Sequence, residues 1–188
     1  MVSIARRTGI LVFARLANRA LSFLGPLFMV RFLTVDQYGE YRDFLLYGTM
    51  LLPWMLTSIN SSLAYFVPKD PDNERLYLSQ ATLFILCSST IVVGLVLLFG
   101  DHLPSATVQS LVIPLCLFVF FVANFDAWEM YWLAKRETLN VLYYSVARFG
   151  VRTAVVVGAA FFTRRVEPVI WALVVFEGVR LLSMAVYG

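Results

Sequence analysis

Ionisable side chains occur in pairs inside long apolar stretches of this sequence, where charge is costly. Arg15 and Arg19 are four residues apart and Asn18 lies three residues after Arg15, so on a helix all three share one face. An ionised side chain at membrane depth costs at least about 2.5–3.5 kcal/mol on insertion scales. A helix with two arginines on one face therefore turns that face toward water, a counter-ion or an anionic ligand.

Three more pairs have the same three- or four-residue spacing. They are Asp126 with Glu129, Arg148 with Arg152, and Glu177 with Arg180. Together with the first pair, these stretches hold five arginines against three carboxylates. A surplus of positive charge favours an anionic substrate, and the planar guanidinium binds phosphate through two hydrogen bonds at once.

This pattern predicts two sets of site residues. The first set would bind substrate: Arg15, Asn18, Arg19, Arg148 and Arg152. The second would couple an ion or form internal pairs: Asp126, Glu129, Glu177 and Arg180.

Each pair also has a purely structural interpretation. Arginines near a helix end can extend to the lipid headgroups. Asp126 and Glu129 lie beside Trp128, a residue type typical of the membrane interface. Arg148 can be the ion-pair partner of these two acids, and Arg152 can pair with Asp126 or Glu177. Glu177 and Arg180 can pair with each other.

The sequence contains no residue pattern typical of catalysis or metal binding. The only histidine, His102, falls in a short polar loop. Cys87 and Cys116 lie in apolar runs without metal-ligand or redox spacing, which predicts small buried side chains. No glycine-rich phosphate loop or Ser/His/Asp grouping is present. We therefore expect no enzyme, no cofactor and no metal.

Composition indicates a membrane protein. Of the 188 residues, 60% are hydrophobic and 14% are charged, and the mean hydropathy is +0.78. Soluble domains have about 45–50% apolar and about 25% charged residues. The net charge of +3 and the lack of a basic cluster with interleaved aromatics argue against a nucleic-acid partner. We predict an all-α, polytopic transmembrane helix bundle.

Six membrane spans are predicted within a single domain that covers residues 1–188. Polar residues 34–42 are predicted to form a turn, and Pro26 and Pro53 to kink their helices. The predicted spans are residues 9–33, 43–67, 77–99, 107–133, 139–162 and 167–187.

Loop charge predicts the orientation. With the N-terminus in the cytoplasm, six basic residues lie inside and four lie outside, which agrees with the positive-inside rule. The inside set is Arg6, Arg7, Lys69, Arg75, Lys135 and Arg136, and the outside set is Arg31, Arg42, Arg164 and Arg165.

Two stretches resemble a known family. Residues 31–41 (RFLTVDQYGEY) are similar to the junction of the first two spans in polysaccharide and O-antigen lipid flippases of the multidrug/oligosaccharidyl-lipid/polysaccharide exporter superfamily. Residues 58–68 (SINSSLAYFVP) resemble that family's run of small residues ending in proline. They depart from it in lacking glycine and in having Tyr65-Phe66 where a basic residue is common.

This resemblance implies alternating access by two helical lobes around a central cavity. It implies a polyprenyl-pyrophosphate-linked, anionic oligosaccharide as substrate, moved across the inner membrane of a bacterium for polysaccharide biosynthesis. Besides membrane lipid, the expected partner is a missing C-terminal lobe or a second copy of the chain. The 188 residues would then be the N-terminal half of a longer transporter.

Two other classes remain open from the sequence. A multidrug cation antiporter of the same superfamily would use the acidic residues Asp126, Glu129 and Glu177. A membrane-embedded glycan-processing enzyme would need a long extracytoplasmic loop with catalytic residues. No polar segment here exceeds about ten residues, which disfavours the enzyme.

Overall fold

A computed structural model describes residues 12, 16, 25–56, 59–102, 105–135 and 138–187. The prediction of an all-α protein is confirmed over these residues, which contain no strand. Short 3₁₀ turns cover Pro71–Asn73 and Gly100–His102. The helices are α1 (25–32), α2 (Val35–Leu56), α3 (Ile59–Lys69), α4 (Glu74–Phe99), α5 (Ala106–Ser110), α6 (Val112–Ala134), α7 (Thr138–Thr163) and α8 (Val166–Tyr187).

Several helices are long and apolar enough to cross a membrane. Three helical segments meet this criterion individually: Pro71–Phe99, Val112–Ala134 and Tyr144–Thr163. The bent pair α2–α3 is a fourth candidate if the two helices form one span. Their length and hydropathy indicate a membrane protein. Most of the predicted span 9–33 lies outside the described residues, so the count of six spans stays a prediction.

The start of α2 differs from the predicted turn at residues 34–42. The backbone N–H of Gln37 donates to Thr34 Oγ1 (3.3 Å), and the N–H of Thr34 donates to Gln37 Oε1 (3.4 Å). This reciprocal pair is a capping box, which satisfies two of the free donors at a helix N-terminus. The prediction of a turn was wrong because this cap allows the polar residues from Val35 onward to be helical.

The predicted spans 43–67 and 107–133 are each divided between two helices. The helix axes of Val35–Leu56 and Ser61–Lys69 make an angle of 43°, whereas Pro53, the predicted kink, lies inside α2. Ser88 of α4 donates a hydrogen bond to the carbonyl of Met55 (2.7 Å), which ties the end of α2 to α4. Leu111 separates α5 from α6, so Pro114 falls in the first turn of α6, where proline is tolerated.

Helix α6 is the centre of the bundle. It packs against α2, α3, α4, α7 and α8, and it is apolar on all sides over most of its length, as a central helix must be. Leu115, Val119, Ala123 and Ala127 are fully buried along it. The polar and ionisable residues near its C-terminal end therefore face neighbouring helices.

Helix α4 lies at the edge of the bundle and turns most of its side chains outward. Leu83, Leu95 and Leu98 are all exposed. Cys116 on α6 is buried as predicted, but Cys87 is exposed, so that prediction was wrong. Burial of an apolar residue in a spanning helix depends on which face meets protein, and at the edge of a bundle much of the helix faces lipid.

The contact between α2 and α6 requires glycine at position 48. A Cβ there would lie 2.9 Å from Cε1 of Phe118, whereas a Cβ at Gly39 in the same helix meets nothing within 4 Å. We expect Gly48→Ala to destabilise the protein by about 1–3 kcal/mol through overpacking. Gly39→Ala is the matched control and should leave stability unchanged or raise it. Thermal unfolding in detergent compares the two, and equal effects would contradict this packing.

Candidate functional site

The structure brings together six of the nine predicted site residues. They come from the C-terminal half of α6 and from neighbouring positions on α7 and α8. The six are Asp126, Glu129, Arg148, Arg152, Glu177 and Arg180. Arg15, Asn18 and Arg19 lie outside the described residues.

Glu177 and Arg180 form a buried ion pair on α8. Glu177 has no exposed surface and Arg180 is 7% exposed. The distance from Arg180 Nη1 to Glu177 Oε2 is 2.6 Å, but the groups are not aligned as a hydrogen bond. The guanidinium also lies over the ring of Phe125, with Cζ 3.9 Å from the centroid, a cation–π contact. Gly178 allows α8 to pack closely against α6, since a Cβ there would lie 3.0 Å from Cε2 of Phe121.

Arg152 of α7 is a second, looser partner of Glu177. Its Nε lies 4.0 Å from Glu177 Oε1, and 23% of its side chain is exposed. Its Cζ lies 5.9 Å from the ring centroid of Phe118. Glu177 therefore stays closely paired with Arg180, which leaves much of the Arg152 guanidinium available for other contacts.

Arg148 is closely paired with an acid of α6. Its Nη1 donates to Glu129 Oε2 at 2.8 Å, which agrees with the structural interpretation of this arginine. Asp126, one turn earlier on α6, has no ion-pair partner within 4.0 Å among the described residues. Of the three carboxylates in this group, Asp126 is therefore the one without a close cationic partner among the described residues.

A cavity of about 420 Å³ lies between α2, α6 and α7. Asp126 and Glu129 line one wall and Arg148 and Arg152 another, so its charges balance. Thr49 of α2 is also on its surface. The remainder of the wall is apolar, which strengthens the attraction between the charged groups.

A second cavity of about 210 Å³ shares Arg152 with the first and lies between α1, α2 and α7. Among the described residues, its wall contains Arg42, Arg152, Tyr38, Tyr41 and Phe149, together with apolar and small residues, and no carboxylate. We call it the cationic cleft. Arg42 and Arg152 lie beside aromatic rings, and the acid nearest to Arg152, Glu177, is 4.0 Å away and is not part of the cleft wall. This arrangement suits a ligand with an anionic group and ring faces.

The sequence interpretation missed the α2 wall of the cationic cleft. Residues 34–42 were expected to be a turn, so Tyr38, Tyr41 and Arg42 were not considered as site residues. On a helix, Tyr41 and Arg42 lie three and four residues after Tyr38 and share its face. The Thr34-to-Gln37 capping box was the signal that would have predicted this face.

The fold and the site together define a class: an α-helical membrane protein with an internal group of ion pairs bordering two cavities. Comparison with known proteins finds no matching family model, no matching curated protein and no matching solved structure.

Proposed function

We propose that the chain is one helical lobe of a flippase of the multidrug/oligosaccharidyl-lipid/polysaccharide exporter type. It would move a polyprenyl-pyrophosphate-linked oligosaccharide across the bacterial inner membrane by alternating access, without catalysing a reaction. The observation that carries this proposal is the cationic cleft, where the exposed Arg42 and the partly buried Arg152 border one cavity whose described wall contains no carboxylate. A second lobe, either a C-terminal continuation or another copy of the chain, would complete the cavity.

The chemistry of the cleft supports a diphosphate bearing sugars. Guanidinium groups bind phosphate oxygens through two parallel hydrogen bonds. The rings of Tyr38, Tyr41 and Phe149 offer faces for sugar rings, and the tyrosine hydroxyls can donate or accept hydrogen bonds. We propose that Arg15, Asn18 and Arg19 add to this site from the preceding span.

The proposal is tested by genetic complementation. The native gene is introduced into a strain that lacks its lipid-linked oligosaccharide flippase, and surface polysaccharide is measured. Restored polysaccharide is the expected result. Absence of polysaccharide at normal membrane levels of the protein, across strains with different oligosaccharides, would contradict it.

We also propose a cytoplasmic N-terminus. Single cysteines placed at positions 35, 102 and 165, in a background without the two native cysteines, should react with a membrane-impermeant thiol reagent in intact cells; position 35 is chosen because Val35 is exposed at the start of α2. Cysteines at positions 70 and 136 should react only after the cells are opened. Labelling of position 136 in intact cells would reverse the orientation.

A multidrug cation antiporter is the second candidate, and Asp126 is the observation that favours it. This carboxylate lines the larger cavity without a close ion-pair partner among the described residues, so it can attract a cation. Such a protein should raise resistance to cationic drugs in an efflux-deficient strain, and Asp126→Asn should remove that resistance. If drug resistance is unchanged by the native protein, this alternative is excluded.

A further inference from the structure

A groove of about 600 Å³ runs along the outer surface between α4 and α6. Its lining contains none of the ion-paired residues of α7 and α8. One end is charged, with Glu74, Arg75 and Lys135. The rest is largely apolar, with leucines of α4 on one side and Trp128 on the other. The groove therefore has the polarity of a phospholipid, charged at one end and apolar along its length.

The charged end carries an excess of one positive charge. Lys135 Nζ lies 2.9 Å from Glu74 Oε1 and 3.3 Å from the Tyr131 hydroxyl. The hydrogen bond to Glu74 raises the pKa of Lys135, so the lysine stays protonated. Arg75 is exposed and has no ion-pair partner within 4.0 Å among the described residues. Glu74 also attracts Arg75 electrostatically, but one carboxylate can balance only one of the two cations that line the groove, so one positive charge is left over.

The groove has the length of one leaflet. From Glu74 to Leu86 the chain advances twelve residues, or about 18 Å at 1.5 Å per residue. One leaflet contributes about half of the roughly 30 Å hydrocarbon core. Trp128 and Tyr131 lie toward the charged end, as aromatic side chains do at a membrane interface. Leu83 and Leu86 farther along are exposed, which leaves them open to an acyl chain.

We propose that this groove binds an anionic phospholipid, with its phosphate on Arg75 and Lys135 and an acyl chain along Leu83 and Leu86. A lipid with one negative charge matches the uncompensated charge of the groove, whereas a zwitterionic lipid does not. Basic pockets at the ends of transmembrane helices are known to bind anionic headgroups. This inference goes beyond the proposed transport function and does not depend on it.

Native mass spectrometry of the purified protein tests the proposal with phosphatidylglycerol and phosphatidylcholine of identical acyl chains. We expect the protein to retain phosphatidylglycerol preferentially. Arg75→Gln should lower its affinity about fivefold, the loss expected for one basic residue at a membrane surface, and should change phosphatidylcholine binding little. Lys69→Gln is the matched control, since it removes one exposed positive charge near the same loop without touching the groove.

A second measurement locates the lipid. Phosphatidylglycerol with a photoreactive acyl chain should crosslink to the α4 segment around Leu83 and Leu86, and Ser79→Trp, which fills the groove, should abolish that crosslink. Equal retention of both lipids would overturn the proposal. An equal loss in Lys69→Gln and Arg75→Gln, or crosslinks that persist in Ser79→Trp, would also overturn it.

Discussion

Replacing Glu177 with alanine is expected to produce the largest loss of stability of any single change in the ion-pair group. Glu177 is fully buried. Its removal leaves the buried Arg180 without an ion-pair partner and removes the looser partner of Arg152. Breaking a buried pair by removing one partner costs about 3–5 kcal/mol. We therefore expect Glu177→Ala to lower the amount of folded protein in membranes sharply, as measured by fluorescence-detected size-exclusion chromatography.

Two variants test whether the loss of stability in Glu177→Ala comes from the unpaired charge of Arg180. Glu177→Leu combined with Arg180→Met replaces both ions by apolar side chains and should restore most of the folded protein. Glu167→Ala removes an exposed acid near the start of α8 and should have little effect. A double variant as unstable as Glu177→Ala would show that the pair is needed for packing rather than for charge balance.

Under the proposed flippase function, replacing Arg152 with alanine is expected to reduce polysaccharide export strongly while the protein remains folded. Arg152 borders both cavities, and Glu177 keeps its 2.6 Å partner Arg180 when Arg152 is removed. One hydrogen bond to a charged group contributes about 1.5–3 kcal/mol, so export should fall at least about tenfold. Arg152→Lys should recover only part of the export, since lysine lacks the planar guanidinium that forms two parallel hydrogen bonds with a phosphate.

Surface polysaccharide and membrane abundance must be measured together in this experiment. Arg164→Ala, at an exposed position in the turn after α7, serves as the matched control and should export normally. If Arg152 is a structural partner instead, Arg152→Ala should lower abundance in proportion to export. Normal export by Arg152→Ala at normal abundance would contradict a role in substrate binding.

The charged core of the site could be predicted from local sequence because it depends on helix periodicity. Asp126 with Glu129, Arg148 with Arg152, and Glu177 with Arg180 each have a spacing that places both residues on one helix face, and apolar flanking residues make each pair costly to leave unpaired. These rules identified residues that the fold does bring together. They also allowed a pair within α8, which the structure contains.

Contacts between helices could not be predicted from the same rules. The choice of Glu129 rather than Asp126 as the partner of Arg148 depends on how α6 and α7 are rotated against each other. Within the described group three arginines lie close to three carboxylates, while the two arginines that give the sequence its positive surplus, Arg15 and Arg19, lie outside the described residues. Arg42 contributes a second positive charge to the cationic cleft from α2. The sequence analysis predicted this segment to be a turn, so Arg42 was not expected there.

The proposed recognition of a diphosphate by Arg42 and Arg152 is tested most directly by equilibrium binding to the purified protein. The ligands are a polyprenyl-diphosphate oligosaccharide and the same oligosaccharide attached to the polyprenyl chain through an uncharged ether. We predict that the diphosphate binds at least about tenfold more tightly, and that Arg42→Ala with Arg152→Ala removes the difference. Equal affinity of the two ligands for the unmodified protein, or an undiminished preference in the double variant, would contradict recognition at the cationic cleft.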